Sequence, residues 1–310
     1  MDRCPVLASR RSTGRDRPVA SAADRPAALP FPPAVAELLA SALLGDGEAV
    51  RFDDLAYHDA GHGYDAFGMH PAFVAFGAGL SSPLYRWYHR VRSYGVEHLP
   101  SHGPAILAAN HSGTLPLDGA MLWLDVLRHT NPPRVARPVA DHFVPALPWI
   151  GTLFARAGMV GGARGNVRTL LERGEMLMVF PEGTPAIVKP FRERYRLHPF
   201  RVGHAELALR FKAPVVPVGI VGAEEQLPAI HSSKRLGRVF GLPALPIPAV
   251  PFPLPTRYHL HYGEPLALHE RYPPDAADDP RAIAEAAAIV QSAVQALIDR
   301  GLEMREGVFA

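Results

Sequence analysis

The sequence predicts an α/β fold: a single domain in which helices flank a mostly parallel central sheet. Three observations predict it. Short apolar runs alternate with segments of helical spacing, the apolar runs are hydrophobic on both faces as in a covered parallel sheet, and 48% of the 310 residues are hydrophobic, enough for one large core. We expect a disordered arm at 1–30, an N-terminal helical lead-in at 31–84 and the main domain at 85–302.

The individual elements follow from local patterns in chain order. The arm holds six arginines with scattered proline and serine, a composition that buries too little apolar surface to fold. The lead-in contains a helical segment at 33–45 that stops at Gly45, a polar glycine-rich loop, and an apolar, aromatic helical segment at 69–92. The domain then alternates predicted strands at 103–110, 134–140, 175–180 and 213–221 with predicted helices at 116–128, 145–158, 166–174 and 201–212, and closes with an edge strand at 256–265 and a helix at 279–301.

Charge and cysteine content exclude several classes of function. The net charge is only +2, so the chain as a whole is not a polyelectrolyte and no nucleic-acid partner is expected. Between Arg156 and Lys212, eleven basic residues accompany five glutamates. This local excess suits phosphates on a lipid, on coenzyme A or on a carrier protein, or else forms a solvated basic face. The single cysteine, Cys4, excludes disulfides and argues against a thiol nucleophile.

The sequence predicts peripheral contact with the cytoplasmic side of a membrane. There is no apolar signal segment at the start, and the longest uncharged runs, 66–85 and 239–256, are interrupted by prolines that a membrane-spanning helix tolerates poorly. We expect an interfacial surface built from the proline-rich segment 241–256 and aromatic residues of 67–88, although both could instead cover the core. The aromatic residues are Phe67, Phe73, Phe76, Tyr85, Trp87 and Tyr88.

A histidine follows the first predicted buried strand. Asn110-His111-Ser112-Gly113 comes directly after the apolar run, and Asp118 stands where the next helix begins. The carboxyl ends of parallel strands line the crevice in which α/β proteins bind ligands. A neutral imidazole there could take a proton from an alcohol, and the carboxylate could hold the tautomer. The alternative is that both side chains contact only solvent and the helix dipole.

A second motif, Phe180-Pro181-Glu182-Gly183-Thr184, follows another predicted buried strand. Proline and glycine around one glutamate predict a tight turn, whose free backbone N–H groups could bind a phosphate or an oxyanion. The alternative is an ordinary turn with a solvated glutamate. Because both motifs follow buried strands, they are expected on one rim of the sheet.

The order of these motifs resembles that of the glycerolipid acyltransferase family, which includes lysophospholipid, 1-acylglycerol-3-phosphate and glycerol-3-phosphate acyltransferases. The resemblance runs from about residue 85 to 268 and rests on NHSG with a downstream aspartate, GMVGGARGN, VFPEGT and APVVPVGIVG. It implies a glycerol-3-phosphate acyltransferase-like fold and transfer of a fatty acyl group from acyl-CoA or acyl-ACP to the hydroxyl of a lipid acceptor. No metal or other cofactor is implied beyond that co-substrate.

One spacing departs from the common family pattern. Six residues rather than four separate His111 from Asp118. Together with GAEEQLPAI and the proline-rich segment, this resembles the branch related to mono- and diacylglycerol acyltransferases. The acceptor is therefore expected to be a lysophospholipid or a 1-acylglycerol-3-phosphate-like lipid, or alternatively a neutral lipid alcohol such as diacylglycerol.

The resemblance assigns roles to individual residues. His111 is the implied general base and Asp118 the carboxylate that orients it; Asp125 or Asp141 could substitute if Asp118 does not reach. The remaining implied positions are Arg164, Glu182 and Gly183, which bind the acceptor together with the adjoining Thr184, and Pro217, a structural proline. Arg192 and Arg194 follow the glutamate motif and could clamp a phosphate or belong to a solvated basic loop.

The sequence also allows two functions other than acyl transfer. A lipid-binding protein with a degenerate site is the main alternative from another class, and a hydrolase is the next. Ser112 beside His111 suggests a serine hydrolase, but no G-x-S-x-G motif is present. His58 and His62 imitate a metal-ligand pair, but they lie in a glycine-rich, non-helical stretch in which the i, i+4 spacing has no meaning.

Overall fold

The computed structural model describes residues 31–44, 52–112, 115–141, 144, 149–239 and 245–310, so the predicted arm, Cys4, Gly45 and Gly113 lie outside the described residues. Two sheets are present within these ranges. The smaller sheet pairs β7 (Ala229–Ser233) with β8 (Leu245–Pro248). The larger sheet has seven strands: β1 (Arg92–Tyr94), β2 (Ala105–Ala109), β3 (Ala136–Ala140), β4 (Val160–Gly161), β5 (Met176–Val179), β6 (Val215–Val221) and β9 (His259–Tyr262).

The large sheet has the order β1-β9-β6-β2-β5-β3-β4. Every neighbouring pair is parallel except β6 and β9, which run antiparallel. All residues of β2 and β6 are buried, as expected for strands that are covered on both faces. The predicted α/β fold with a mostly parallel sheet is confirmed.

Helices cover both faces of this sheet. The side chains of β2 alternate between two apolar clusters: Leu107 joins one that includes Val74 and Leu122, and Ile106 joins another that includes Leu170 and Val290. The helices are α1 (Pro33–Leu44), α2 (Pro71–Pro83), α3 (Leu117–His129), α4 (Ile150–Arg156), α5 (Arg164–Glu172), α6 (Thr184–Ile187), α7 (Gly203–Arg210), α8 (Lys234–Val239), α9 (Leu268–Arg271) and α10 (Pro280–Met304).

The last helix, α10, is the one described helix that is long and apolar enough to cross a membrane by length and composition. It begins at Pro280, and the carboxylate of Asp279 caps it by accepting a hydrogen bond from Arg281 N. Its stripe of Val290, Val294 and Ile298 is fully buried. Since α10 packs along β6 and α7, it serves as a core helix of the domain.

The prediction that 256–265 forms an edge strand is wrong. β9 lies between β6 and β1, because Arg92–Tyr94, which begins at the last residue of the predicted helical segment 69–92, pairs with it in parallel as β1. The histidines of this strand are buried: His261 is 3% exposed and its ring stacks on that of Tyr94 at 4.5 Å. Burial lowers the pKa of His261 to about 4, so this imidazole remains neutral inside the sheet.

The predicted aromatic surface at 67–88 is correct only in part. Phe73 is 1% exposed and Tyr85 is 7% exposed, and the hydroxyl of Tyr85 donates to the buried carboxylate of Asp125 at 2.5 Å. Phe67 and Phe76 also pack against apolar clusters. These aromatics belong to the core because their segment, α2 and the π-helical turn Leu84–Tyr88, packs against α3. Trp87 and Tyr88 remain exposed, at 73% and 37%.

Candidate active site

His111 lies immediately after β2, in the crevice predicted from the sequence. Asn110 fixes the end of this strand by bonding both ways to the backbone of Ile220: its amide nitrogen donates to Ile220 O at 2.9 Å, and its oxygen accepts from Ile220 N at 2.7 Å. The imidazole Nδ1 of His111 lies 2.7 Å from Oδ2 of Asp118. The six intervening residues therefore allow the two side chains to meet.

Asp118 is held rigidly beneath this histidine. It is completely buried, and its Oδ2 also accepts a hydrogen bond from Ser112 N at 2.7 Å while Oδ1 accepts from Gly119 N at 2.8 Å. Three donors thus fix one carboxylate at the start of α3, where the helix dipole also favours negative charge. Asp125, considered as a substitute, is occupied elsewhere in the core by hydroxyl groups of Tyr85, Ser93 and Tyr262.

The contact with Asp118 determines the protonation of His111. A carboxylate accepts hydrogen bonds, so Nδ1 carries the proton and Nε2 keeps its lone pair. Among the described residues, Nε2 bonds to no protein group. Burial is the largest single effect and opposes the charged form of this ring, but the carboxylates of Asp118, Glu182 and Glu224 together outweigh it, and the pKa of His111 is raised. The ring also stacks on Phe180, with centroids 4.3 Å apart.

Glu182 lies under the backbone of the same histidine. It is 1% exposed; its Oε1 accepts a hydrogen bond from His111 N at 3.3 Å and its Oε2 accepts from His198 N at 2.8 Å. The glutamate is therefore not the solvated turn residue of the alternative interpretation. The two motifs meet on one rim because β2 and β5 are parallel neighbours.

The guanidinium of Arg201, which no sequence motif indicated, lies directly against Gly183. The φ of +65° and ψ of −155° at Gly183 belong to a region that is essentially restricted to glycine. A Cβ at this position would lie 2.7 Å from Cζ of Arg201. Arg201 is placed there by its own backbone, since its N–H donates to Pro181 O at 2.9 Å. Within the described part of the chain, its guanidinium forms no ion pair.

Comparisons with known proteins agree with this geometry. Residues 90–221, which contain His111, Asp118 and Glu182, match the protein-family model described as Acyltransferase. An uncharacterized protein of Mycobacterium tuberculosis is 38% identical over 258 residues, which cover 79% of this chain and 71% of that protein. The chain belongs to the acyltransferase family. The acyltransferase is also 26% identical over 216 residues to a Homo sapiens protein named DGAT1/2-independent enzyme synthesizing storage lipids, covering 69% of the chain and 62% of that protein.

The fold of this acyltransferase is similar to a solved structure. The 1-acyl-sn-glycerophosphate (LPA) acyltransferase PlsC from Thermotoga maritima superposes with a TM-score of 0.52 and 18% identity, covering 87% of this chain and 88% of that one. The resemblance inferred from the motifs and the predicted enzyme class, an acyltransferase, are confirmed. The roles of individual site residues stay predictions.

The acyltransferase places its three predicted phosphate-binding arginines apart from the His111 pair. The Arg164 side chain is 93% exposed and lies 3.8 Å from Glu206. Arg192 is 85% exposed and its Nε lies 3.4 Å from Glu193. Arg194 reaches Glu225 at 3.7 Å and stacks over Phe191. Within the described residues, none of these guanidinium groups contacts His111, Asp118 or Glu182, whereas Thr184 adjoins Gly183 as the first residue of α6.

Two other sequence features of the acyltransferase can be placed. The Ser112 hydroxyl is buried and has no hydrogen-bond partner among the described residues, so it does not form the serine–histidine contact of a hydrolase with His111. His58 and His62 lie in the loop before α2, where a short bridge joins Gly61 to Tyr64. Among the described residues, no group of three or more His, Cys, Asp or Glu side chains is arranged to hold a metal ion.

Proposed function

We propose that this acyltransferase moves a fatty acyl group from acyl-CoA or acyl-ACP to a lipid hydroxyl at a membrane surface, with His111 as general base. The observation that carries the proposal is the 2.7 Å contact between His111 Nδ1 and the buried Asp118 carboxylate. This contact leaves Nε2 as a base at the end of a parallel strand, where substrates of α/β proteins bind.

The expected reaction needs no covalent enzyme intermediate. Nε2 of His111 accepts the proton of the acceptor hydroxyl, and the resulting alkoxide attacks the carbonyl carbon of the thioester. The tetrahedral intermediate collapses as the C–S bond breaks, and the departing thiolate takes the proton from the imidazolium. Asp118 stabilises that imidazolium. The thioester is already activated, so the step requires no metal ion.

We assign the phosphate of a lysophospholipid or 1-acylglycerol-3-phosphate-like acceptor to the neighbourhood of Gly183. The guanidinium of Arg201 lies over this glycine, beside the turn that contacts His111, and guanidinium groups bind phosphate oxygens bidentately. Arg164 and Arg192 are exposed and Arg194 is partly exposed, so these cations are candidates for binding the phosphates of the donor. A neutral lipid alcohol is the second candidate acceptor, favoured by the name of the human relative.

An exposed apolar and basic patch supports contact with anionic membranes. Trp87 and Phe252 are 73% and 76% exposed, and the hydroxyl of Tyr88 bonds to Pro253 O, which brings their two segments together. Three arginines, Arg90, Arg92 and Arg257, adjoin the same segments. Aromatic and basic side chains in one patch are typical of interfacial binding.

This patch is expected on the same rim of the sheet as His111. Because β9 runs antiparallel to β6, it begins where β6 ends, with His259 opposite Val221. β1 is parallel to β9 and begins at the same rim, with Arg92 opposite His259. Three strand spacings separate β1 from β2, about 14 Å in total. A lipid held at the patch could therefore extend its glycerol end to the histidine.

An acceptor panel tests the activity. Purified protein is incubated with labelled oleoyl-CoA and one acceptor at a time: a lysophospholipid, 1-acylglycerol-3-phosphate or diacylglycerol. The products are identified by mass. We expect transfer that His111→Ala lowers by ~10²–10⁴-fold. We also expect Arg201→Gln to raise KM for phosphorylated acceptors and not for diacylglycerol, with Lys212→Gln, an exposed cation, as control. A His111→Ala variant with wild-type turnover would refute the proposed base.

Membrane contact is tested separately by flotation with vesicles that contain anionic lipid. We expect the wild-type protein to float, and the double variant Trp87→Ser/Phe252→Ser to float several-fold less. Leu38→Ser is the matched control, because Leu38 is 70% exposed on a different helix. A wild-type protein that stays entirely in the aqueous fraction excludes this part of the proposal.

A further inference from the structure

A buried lysine connects two glutamates beneath the proposed active site. The Lys189 side chain is 3% exposed, and its Nζ lies 3.1 Å from Glu224 Oε2 and 3.8 Å from Glu182 Oε2. The same ammonium donates to Arg196 O at 3.0 Å. The ammonium thus forms hydrogen bonds to Glu224 and to Arg196 O and an ion pair with Glu182, at a buried position where an unpaired charge is strongly destabilising.

This arrangement forms a continuous path from Glu224 to the histidine. Glu224 lies in the 3₁₀ turn Ala223–Glu225, just after β6, and its Oε2 also accepts a hydrogen bond from Tyr195 N at 3.1 Å. Glu224 holds Lys189, and Lys189 faces the carboxylate that accepts the hydrogen bond from His111 N. None of these three side chains is needed to donate or accept the transferred proton.

We propose that Lys189 and Glu224 are positioning residues for acyl transfer: Lys189 holds the Glu182 carboxylate against the backbone of His111, and Glu224 holds Lys189. The inference rests on the proposed function of His111 as base. It assigns a role to the GAEEQ segment, which comes after the last residue matched by the family model.

Charge balance explains why Lys189 is required. Two buried carboxylates, Glu182 and Glu224, share one ammonium, so loss of Lys189 leaves two negative charges facing each other in a dry environment. One carboxylate then has to take up a proton or move into contact with water. Either response disturbs the Glu182 oxygen that fixes the His111 backbone.

The same groups determine the electrostatic field at the histidine. The charged groups that face His111 are Asp118, Glu182 and Glu224, and all three raise its pKa. The groups that face Glu224 are Lys189, Glu182 and the Tyr195 N–H; burial raises the pKa of Glu224 to about 7, and Lys189 opposes this rise. Ionised Glu224 raises the pKa of His111, so replacing Glu224 by glutamine should lower the pKa of His111, most clearly above the pH at which Glu224 ionises.

Kinetics of three variants test the inference: Lys189→Met, Glu224→Gln, and both together. Lys189→Met should lower kcat on the order of 10²-fold with a small change in KM, since a displaced base affects the reaction more than binding. The double variant should regain part of this loss, because only one buried carboxylate remains. Lys212→Met and Glu172→Gln, exposed residues of the same types, are the controls and should match wild type.

Glu224→Gln is nearly isosteric and keeps the test valid if Lys189→Met fails to fold. The maximum of its kcat/KM as a function of pH should match that of wild type, and the decline on the acidic side should move to lower pH. NMR titration of labelled His111 gives the same pKa shift without any turnover. A wild-type protein that transfers no acyl group refutes the proposed function, and the titration then still tests the charge path. An unshifted His111 titration in Glu224→Gln, or wild-type kcat in Lys189→Met, overturns the inference.

Discussion

Asp118→Asn is the most direct test of the proposed chemistry. The substitution removes the charge that faces His111 Nδ1 and replaces one of two carboxylate oxygens with an NH₂ group. The native oxygens accept hydrogen bonds from His111 Nδ1, Ser112 N and Gly119 N at 2.7, 2.7 and 2.8 Å. An amide has one oxygen, so its NH₂ group must turn toward a donor or toward the imidazole.

The expected loss of rate follows from this geometry. An amide NH₂ that faces the imidazole favours the tautomer with the proton on Nε2, which cannot accept a proton from the acceptor hydroxyl. The same exchange in the serine-protease triad costs about 10⁴-fold in kcat. Here the amide can keep its oxygen toward His111 in part of the molecules, so we expect a loss on the order of 10³-fold. In the pH profile of the remaining activity, the decline on the acidic side should lie at lower pH than in wild type, because Asp118 raises the pKa of His111.

The assay is the release of free CoA thiol from oleoyl-CoA, measured with a saturating acceptor over about four pH units. Asp278→Asn is the control, since Asp278 is an exposed carboxylate that pairs with Arg210. If Asp118→Asn retains kcat within a few-fold of wild type and its pH limb does not move, the buried carboxylate has no part in the reaction. The reasoning from the His111–Asp118 contact would then be wrong.

Three further predictions concern stability, each measured by urea denaturation. Gly183→Ala should lose roughly 1–3 kcal/mol, because its φ is +65°, whereas Gly165→Ala, with open space at its Cβ, should not; equal effects contradict this. Burial lowers the pKa of His204 to about 4, so its contribution to the free energy of unfolding is complete above the unfolded pKa of ~6.5 and declines as pH falls toward 4. His204→Phe should therefore reduce the loss of unfolding free energy between pH 7 and 5 by roughly 2 kcal/mol. If the variant loses as much stability as wild type over this range, the prediction is wrong. Asp125→Ala should cost roughly 2–5 kcal/mol, because three hydroxyl groups lose their acceptor, and a near-neutral effect would show that water replaces it.

The sequence was sufficient to predict the parts of the fold that depend on hydrophobic runs. The strands that became β2, β5 and β6 are apolar throughout, and their ends place His111 and Glu182 on one rim. Strands β1 and β4 have only three and two residues, too few to show a periodicity. β9 was predicted to be an edge strand, whereas it pairs with β1, which is too short to be recognised from the sequence.

The direction of a long side chain at the site is likewise not given by the sequence. Arg164, Arg192 and Arg194 were selected from motifs and local charge, and in the structure each side chain pairs with a glutamate, which for Arg194 is the buried Glu225. Arg201 looked like the first residue of a helix, and its position over Gly183 depends on a backbone hydrogen bond to Pro181. Sequence spacing predicts which turns meet, whereas the path of a long side chain depends on tertiary contacts.

The carboxylates of this site occupy the backbone amides around the imidazole. The N–H groups of His111 and His198 donate to Glu182, and that of Ser112 donates to Asp118. A tetrahedral intermediate formed beside Nε2 therefore cannot accept hydrogen bonds from these donors unless a carboxylate moves away. Its negative oxygen therefore needs a donor other than these three N–H groups, such as a side-chain cation, another backbone N–H or water.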